Sequence, residues 1–278
     1  MIPVAEPNLG ELEKEYVCKA IDSNWVGPSG NYVELFEDHV AEISWRDWAV
    51  ATTTGSAALE AAFWATGIKF SDVGIYSYPA ARNALERLGI LVNVVREKGI
   101  SHDSAVYGAN WPTVEDCAPA LGVFTEDDAT LGCYSFAANK TVTCGMGGAI
   151  VGDDSGLEAR CREFIQQGHG EKGRHNLRMA NLNAALGCAQ LTRLDEFLQR
   201  KTDIWNRYAA AGLPMIERGS SRWMSTIELP KDWKDLPSPV DRGFYMRDEP
   251  FGGWSLPCST SLSTVGQERV IECLAALY

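Results

Sequence analysis

Two apolar periods alternate along this chain. Stretches with apolar positions about three or four residues apart predict helices at Glu11–Ser23, Tyr32–Ile43, Ala81–Gly89, Gly156–Gln167 and Leu182–Tyr208. Short apolar runs predict strands at Trp48–Thr52, Gly74–Tyr76 and Leu91–Val95. Strands that alternate with helices pack as a sheet covered on both faces, so the expected fold class is α/β, a three-layer and mostly parallel sheet. Leu213–Gly243, with its prolines and a Gly-Ser-Ser triplet, reads as a linker. It divides the chain into a large unit, residues 1–212, and a small C-terminal α+β domain, residues 213–278.

Three segments carry chemistry. Ala49–Ala62 reads as a strand, a Thr/Gly/Ser turn and an alanine-rich helix, and a helix N-terminus behind such a turn offers unpaired N–H groups to a phosphate. The same turn also reads as an ordinary cap. Thr113–Gly122 reads as a short strand ending in two acids. Strand ends in α/β sheets face the crevice where ligands bind, which makes Asp116 a candidate contact for a ligand cation. Leu131–Val151 sets Lys140 between a short apolar strand and a glycine-rich turn, with Ser135 five residues before it. A lysine among small and apolar residues can shed its proton and act as an amine nucleophile, although most lysines are simply solvated. A phosphate cradle, an anion and an amine are the parts that hold pyridoxal 5'-phosphate (PLP).

With those parts in place, the chain resembles the DegT/DnrJ/EryC1/StrS family of PLP-dependent sugar aminotransferases, of fold type I, in a shortened form. The resemblance extends to the opening Ile2–Ile43, where Ser-x-Trp precedes a Gly, and to Asn176–Glu196, where an Asn and an Arg-Met pair precede an Ala-Ala-x-Gly helix. It reaches the end of the chain in a Leu-Pro turn and last helix within Ser255–Leu274. The resemblance implies that Lys140 forms the internal Schiff base with PLP and shuttles a proton, and that Asp116 pairs with the pyridinium nitrogen. It implies that Gly55, Ser56, Ala57 and Ser135 hold the phosphate. Tyr78 stands where the family places an aromatic on the ring face, and reads equally as a core residue. Asn176 matches an asparagine that reaches the neighbouring subunit's phosphate, which implies a homodimer with shared active sites. Arg178 is a candidate for a substrate carboxylate or for a structural ion pair, and His169 and Trp25 are weaker substrate candidates.

The chain also departs from the family's pattern. Pro119 stands where the family commonly has Gln or His, Met146 replaces an acid in the glycine-rich turn, and Arg82 interrupts the small residues after Tyr78. Between Val95 and Val114 one short run, Ala105–Asn110, stands where the family has more sheet and a covering helix. The region from Gly212 to Tyr278 is shorter than the family's C-terminal domain.

Composition narrows the function further. At 278 residues the chain can bury a sizeable core. A formal charge of -12 argues against broad non-specific nucleic-acid binding and leaves a nucleotide-linked substrate open. No apolar run is long enough to span a bilayer, and no basic-plus-apolar leader opens the sequence. The eight cysteines are scattered without a Cys-x-x-Cys pair, as expected of reduced thiols in a cytoplasmic protein. The four histidines show no metal-ligand spacing, so no metal is expected. The expected activity is amino transfer between an amino acid and the keto group of a sugar-nucleotide-like substrate. Two alternatives stay open. One is PLP-dependent decarboxylation of an amino-acid group on a bulky or tethered substrate, such as a modified nucleotide in a virus-like pathway. The other is a catalytically inactive binding protein of the same fold.

Overall fold

A sheet whose strands are apolar on both faces organises the molecule. The computed structural model describes residues 1–75, 77–95, 105–108, 112–123, 129–166, 175–217, 221–228, 244–248 and 253–275. Two N-terminal helices, α1 (Glu11–Asp22) and α2 (Asn31–Ile43), precede strand β1 (Trp48–Thr52). The chain continues through α3 (Gly55–Thr66), β2 (Phe70–Gly74), α4 (Pro79–Arg87), β3 (Leu91–Val95), β4 (Ala105–Tyr107) and β5 (Val114–Asp116). Then come β6 (Leu131–Ser135), β7 (Gly148–Gly152), α5 (Ser155–Ile165), α6 (Asn181–Leu191) and α7 (Leu194–Ala210). Short strands β8 (Met215–Ile216), β9 (Ser225–Ile227), β10 (Arg247–Asp248) and β11 (Trp254–Leu256) form a second sheet, followed by α8 (Thr264–Ala275).

Every residue of β1 and β7 is buried. Their side chains divide between two cores: Trp48, Val50 and Ile150 pack with α3, α4 and α5 on one face, while Ala49, Ala51, Ala149 and Val151 pack with α2, α6 and the start of α7 on the other. Coverage on both faces is why these strands read as continuous apolar runs rather than alternating ones. The alanines of α3 serve the same packing, because Ala57, Ala58, Ala61, Ala62 and Ala65 let this helix lie close against the sheet. A third core joins Ile204 and Tyr208 of α7 to Leu213, Ile227, Phe244, Leu256 and Val270, with Ile2 packed against it. The N-terminal segment therefore runs from the small sheet, where Ile2 bridges Phe244, back to the large unit.

The central sheet has the order β1-β7-β6-β5-β4 and is mixed rather than mostly parallel. Only β5 and β6 pair parallel there; β1–β7, β6–β7 and β4–β5 are antiparallel. Connection length accounts for β4, since a parallel pairing needs a crossover of a dozen or more residues. The chain between Tyr107 and Val114 is far shorter than that, so β4 returns beside β5 as a hairpin with Ala105 opposite Asp116. Where a helix does cross over, as α4 does between β2 and β3, the pair is parallel.

Two element boundaries also differ from expectation. The strand expected at Gly74–Tyr76 lies earlier, at Phe70–Gly74, because Ser71 and Asp72 interrupt its apolar residues and hide it; Tyr76 is outside the described residues. The helix expected at Leu182–Tyr208 is two helices, broken at Thr192 and Arg193, where Thr192 Oγ1 donates to the Ala189 carbonyl at 2.7 Å. No Gly or Pro marks that break, so apolar spacing alone runs through it.

Strand β1 is an edge, and two side chains cover its open backbone groups. Glu37 Oε1 accepts from Ala51 N–H at 2.7 Å, and Arg162 donates to the Ala49 carbonyl at 3.2 Å. Arg162 and Glu37 also pair with each other, at 2.9 Å. Burial pushes the Glu37 carboxyl above its ordinary value, while Arg162 and the Ala51 N–H pull it back. Removing the arginine strands a buried charge. Arg162→Met is therefore expected to lower unfolding stability by about 2–3 kcal/mol in urea titrations. Adding Glu37→Gln, which keeps an acceptor for Ala51 and removes the charge, should restore part of the loss; an unchanged double variant would contradict this account.

Candidate active site

The loop between β6 and β7 carries Lys140. Antiparallel pairing of Ser135 with Gly148 closes its base, and Phe136 then bonds across it, donating to the Gly147 carbonyl at 2.9 Å and accepting from Cys144 N–H at 3.0 Å. Within the loop, Lys140 N–H donates to Ala137 at 2.9 Å, and Thr143 Oγ1 accepts from Gly145 N–H at 2.9 Å. Asn183, in the first turn of α6, donates to the Cys144 carbonyl at 2.7 Å. The loop is thus tied down on both sides of the lysine.

The first turn of α3 rests directly on this loop's base. A Cβ on Gly148 would lie 2.3 Å from the Thr54 carbonyl oxygen, and one on Gly55 would lie 2.7 Å from Ser135 Cβ. Both positions exclude side chains. Thr54 caps α3 and takes the Ala57 N–H at 3.0 Å, so of the three expected phosphate contacts on this turn only Gly55 and Ser56 keep N–H groups without a partner among the described residues. Ser135 stands beside them at the end of β6, so the structure brings the hydroxyl and the helix N-terminus together.

Asp116 ends β5, opposite Cys133 of β6. Its Oδ1 accepts from Ala118 N–H at 3.1 Å. Burial pushes its carboxyl above the ordinary value, while the Ala118 hydrogen bond and the positive charge of Lys140 pull it down. The lysine and the aspartate therefore lie within each other's field. A cation brought against Asp116 would relieve the cost of burying its charge.

Asn176 and Arg178 reach the same end of the sheet. Leu177 accepts from Thr53 N–H at 2.8 Å and Arg178 bridges Thr52, just before the α3 turn. Arg178 Nε donates to Asn176 Oδ1 at 3.2 Å, and Asn176 is exposed. Tyr78 opens α4 with its side chain 70% exposed, so it is not a core residue. Trp25 is exposed too, and its carbonyl accepts from Asn181 Nδ2. Asn181 also receives Tyr32 N–H at 3.0 Å, which fixes the Trp25–Tyr32 loop to the start of α6. His169 lies outside the described residues.

Several site residues carried no signal in the sequence. Trp223, in the stretch read as a linker, lies over Lys140 with its ring centroid 3.7 Å from Nζ. Glu6 and Asn8 of the N-terminal segment line the same crevice as Lys140, together with Thr141 and Lys201. Only the fold brings these distant stretches together.

The residues present fit a phosphate-bearing pyridine aldehyde. Free N–H groups at a helix start suit the phosphate, the carboxyl of Asp116 suits the ring cation, and the Lys140 amine lies within its field. Thr141 Oγ1, beside the lysine, is buried without a partner among the described residues, so it has capacity for a polar ligand. Gly55→Ala would push α3 off Ser135. It is expected to weaken binding of PLP roughly 10- to 100-fold in calorimetry, the loss of one or two charge-assisted hydrogen bonds, with unchanged far-ultraviolet circular dichroism. Native affinity in that variant would place the phosphate elsewhere.

Comparison with known proteins places the chain in a family. The profile of the DegT/DnrJ/EryC1/StrS aminotransferase family matches residues 7–97 and 107–223. GDP-perosamine synthase of Escherichia coli O157:H7 is 32% identical over 74% of this chain and 70% of its own. The Vibrio cholerae enzyme of the same name is 32% identical over 84% and 79%. Among solved structures, Helicobacter pylori PseC, an aminotransferase involved in the biosynthesis of pseudoaminic acid, superposes with a TM-score of 0.85 at 17% identity over 100% and 99% of the two chains. DesI, solved in the presence of its TDP-sugar product, gives a TM-score of 0.81 at 20% identity over 99% and 92%. The match leaves out residues 1–6, 98–106 and 224–278, of which 98–104 lie outside the described residues. The chain belongs to the DegT/DnrJ/EryC1/StrS aminotransferase family.

Proposed function

We propose that this chain is a PLP-dependent aminotransferase acting on the keto group of a nucleotide-linked sugar, with Lys140 as its reacting amine. The observation that carries the reading is the meeting of Lys140, Asp116 and the open turn of α3 at one end of the sheet. Bound there, PLP supplies an electron sink for the bond broken at the amino-bearing carbon. Lys140 would hold the cofactor through its aldehyde and would move the proton at the substrate carbon. Asp116 would keep the ring nitrogen protonated, and Gly55, Ser56 and Ser135 would receive the phosphate. Ala57, whose N–H is already used, shapes the turn. Tyr78 and Trp25 offer exposed aromatic faces, and Arg178 offers a fork for a substrate anion.

The substrate class rests on the relatives, which are named for GDP-perosamine and pseudoaminic acid and include one solved with a TDP-sugar product. Local cations can offset the global charge of -12 for such an anion. All eight cysteines are unpaired, in keeping with a reducing cytoplasmic setting. No helix among the described residues is long and apolar enough to cross a membrane.

We read the active unit as a homodimer. Exposed Trp25 and Val26 lie in the loop held by Asn181, and exposed Met146 lies in the turn held by Asn183, so apolar surface gathers around one end of α6. An exposed apolar patch of this kind suits a two-fold contact.

Two experiments test these readings. Protein loaded with PLP and given candidate amino acids should yield keto acid and pyridoxamine phosphate. Carbon dioxide in place of the keto acid would mean decarboxylation, and no uptake of PLP would mean a binding protein. For the shared site, Lys140→Ala and Asn176→Asp chains, each inactive alone, should regain up to roughly a quarter of native activity when exchanged 1:1, as expected for hybrids of a two-fold dimer. A dead mixture with proven exchange would contradict the shared site.

A further inference from the structure

Trp223 enters the site from the small unit just ahead of β9, and its indole is held at both ends. Nε1–H donates to the Asn139 carbonyl at 2.8 Å, next to Lys140 in the chain. The Trp223 carbonyl accepts from Lys201 Nζ at 2.8 Å. Lys201, only 3% exposed, also donates to the Cys258 carbonyl at 2.8 Å, and Cys258 N–H donates to Val4 at 2.8 Å. One buried ammonium thus ties α7, the approach to β9, the chain after β11 and, through Cys258, the N-terminal segment. The ring so clamped turns its face to Lys140 Nζ, 3.7 Å from the centroid. An ammonium at that distance is drawn to the negative face of the ring, and more strongly where water is excluded; a neutral amine gains far less.

Resting on the reading of Lys140 as the reacting amine, we propose that Trp223 is its positioning residue. In the cofactor-free chain the indole docks the Lys140 ammonium in one orientation and shields it from stray electrophiles until a ligand aldehyde competes for it. Lys201 acts through Trp223, by fixing the backbone from which the indole hangs.

The test uses cofactor-free protein and a small amine reagent, trinitrobenzenesulfonate, with the peptide containing Lys140 quantified by mass spectrometry. Trp223→Leu should label Lys140 roughly 3- to 30-fold faster than the native chain near neutral pH, the range that a cation–π contact supports. Trp223→Phe, which keeps an aromatic face, should stay within roughly threefold of native. Lys201→Met, which releases the clamp and leaves the indole, should label faster than native as well. The advantage of Trp223→Leu should shrink toward unity near pH 12, where lysine amines are neutral in every variant; mere loosening of the loop would keep it at all pH values. Labelling of exposed Lys14 and Lys19 should not change and normalises the reagent, while unchanged far-ultraviolet circular dichroism serves as the folding control. Should Trp223→Leu fail to fold, Lys201→Met decides alone. Equal Lys140 labelling in native and folded variant chains overturns the proposal, as does an advantage independent of pH. Failure of the native chain to take up PLP would instead sink the functional reading and leave the labelling ratios standing.

Discussion

The contact between the first turn of α3 and the base of the lysine loop is the constraint on which the site depends. Gly148 and Gly55 face Thr54 and Ser135 at distances that leave no room for a Cβ. Because β6, β7 and α3 meet there without side chains between them, a helix N-terminus, a hydroxyl and the loop bearing Lys140 share one small region. The rest of the large unit holds that contact in place. Two apolar faces fix the strands, Asn183 fixes the far side of the loop, and Thr54 fixes the turn by capping it.

The strand order sets the far edge of the sheet apart from this arrangement. Strand β4 lies at the far edge from β1, three strands from β7, and its reversal into a hairpin changes pairing only with β5. Asp116 keeps its place because the parallel pairing of β5 with β6 sets its register, independently of the direction of β4. The small unit contributes differently. The second sheet is tied to α7, the N-terminal segment and buried Lys201, and Trp223, just ahead of β9, lies over Lys140.

Much of the large unit was legible in the sequence because its signals are local. Trp48–Thr52 and Leu91–Val95 are runs rich in apolar residues, the second broken only by Asn93, and both strands have the expected bounds. The turn before α3, the acid ending β5 and the lysine between β6 and β7 are likewise short-range patterns. Pairing direction was not legible, since it depends on how much chain separates strands; the short link after Tyr107 overrides the usual parallel order. The break at Thr192 escaped because apolar spacing continues through it. Trp223, Lys201, Glu6 and Asn8 escaped for a different reason. Each acts through tertiary contact between segments far apart in the chain, and none has a neighbour pattern that marks it. Ala57 shows the limit of a motif carried over whole, because its N–H is already used by Thr54.

The central claim is that one lysine, Lys140, is the amine of the site. It is tested most directly by loading the protein with PLP, fixing the link with borohydride and mapping the modified peptide by mass spectrometry. The account predicts a single adduct on Lys140. An adduct on Lys201, the other lysine of the same crevice, or on any other lysine with Lys140 unmodified, would contradict it.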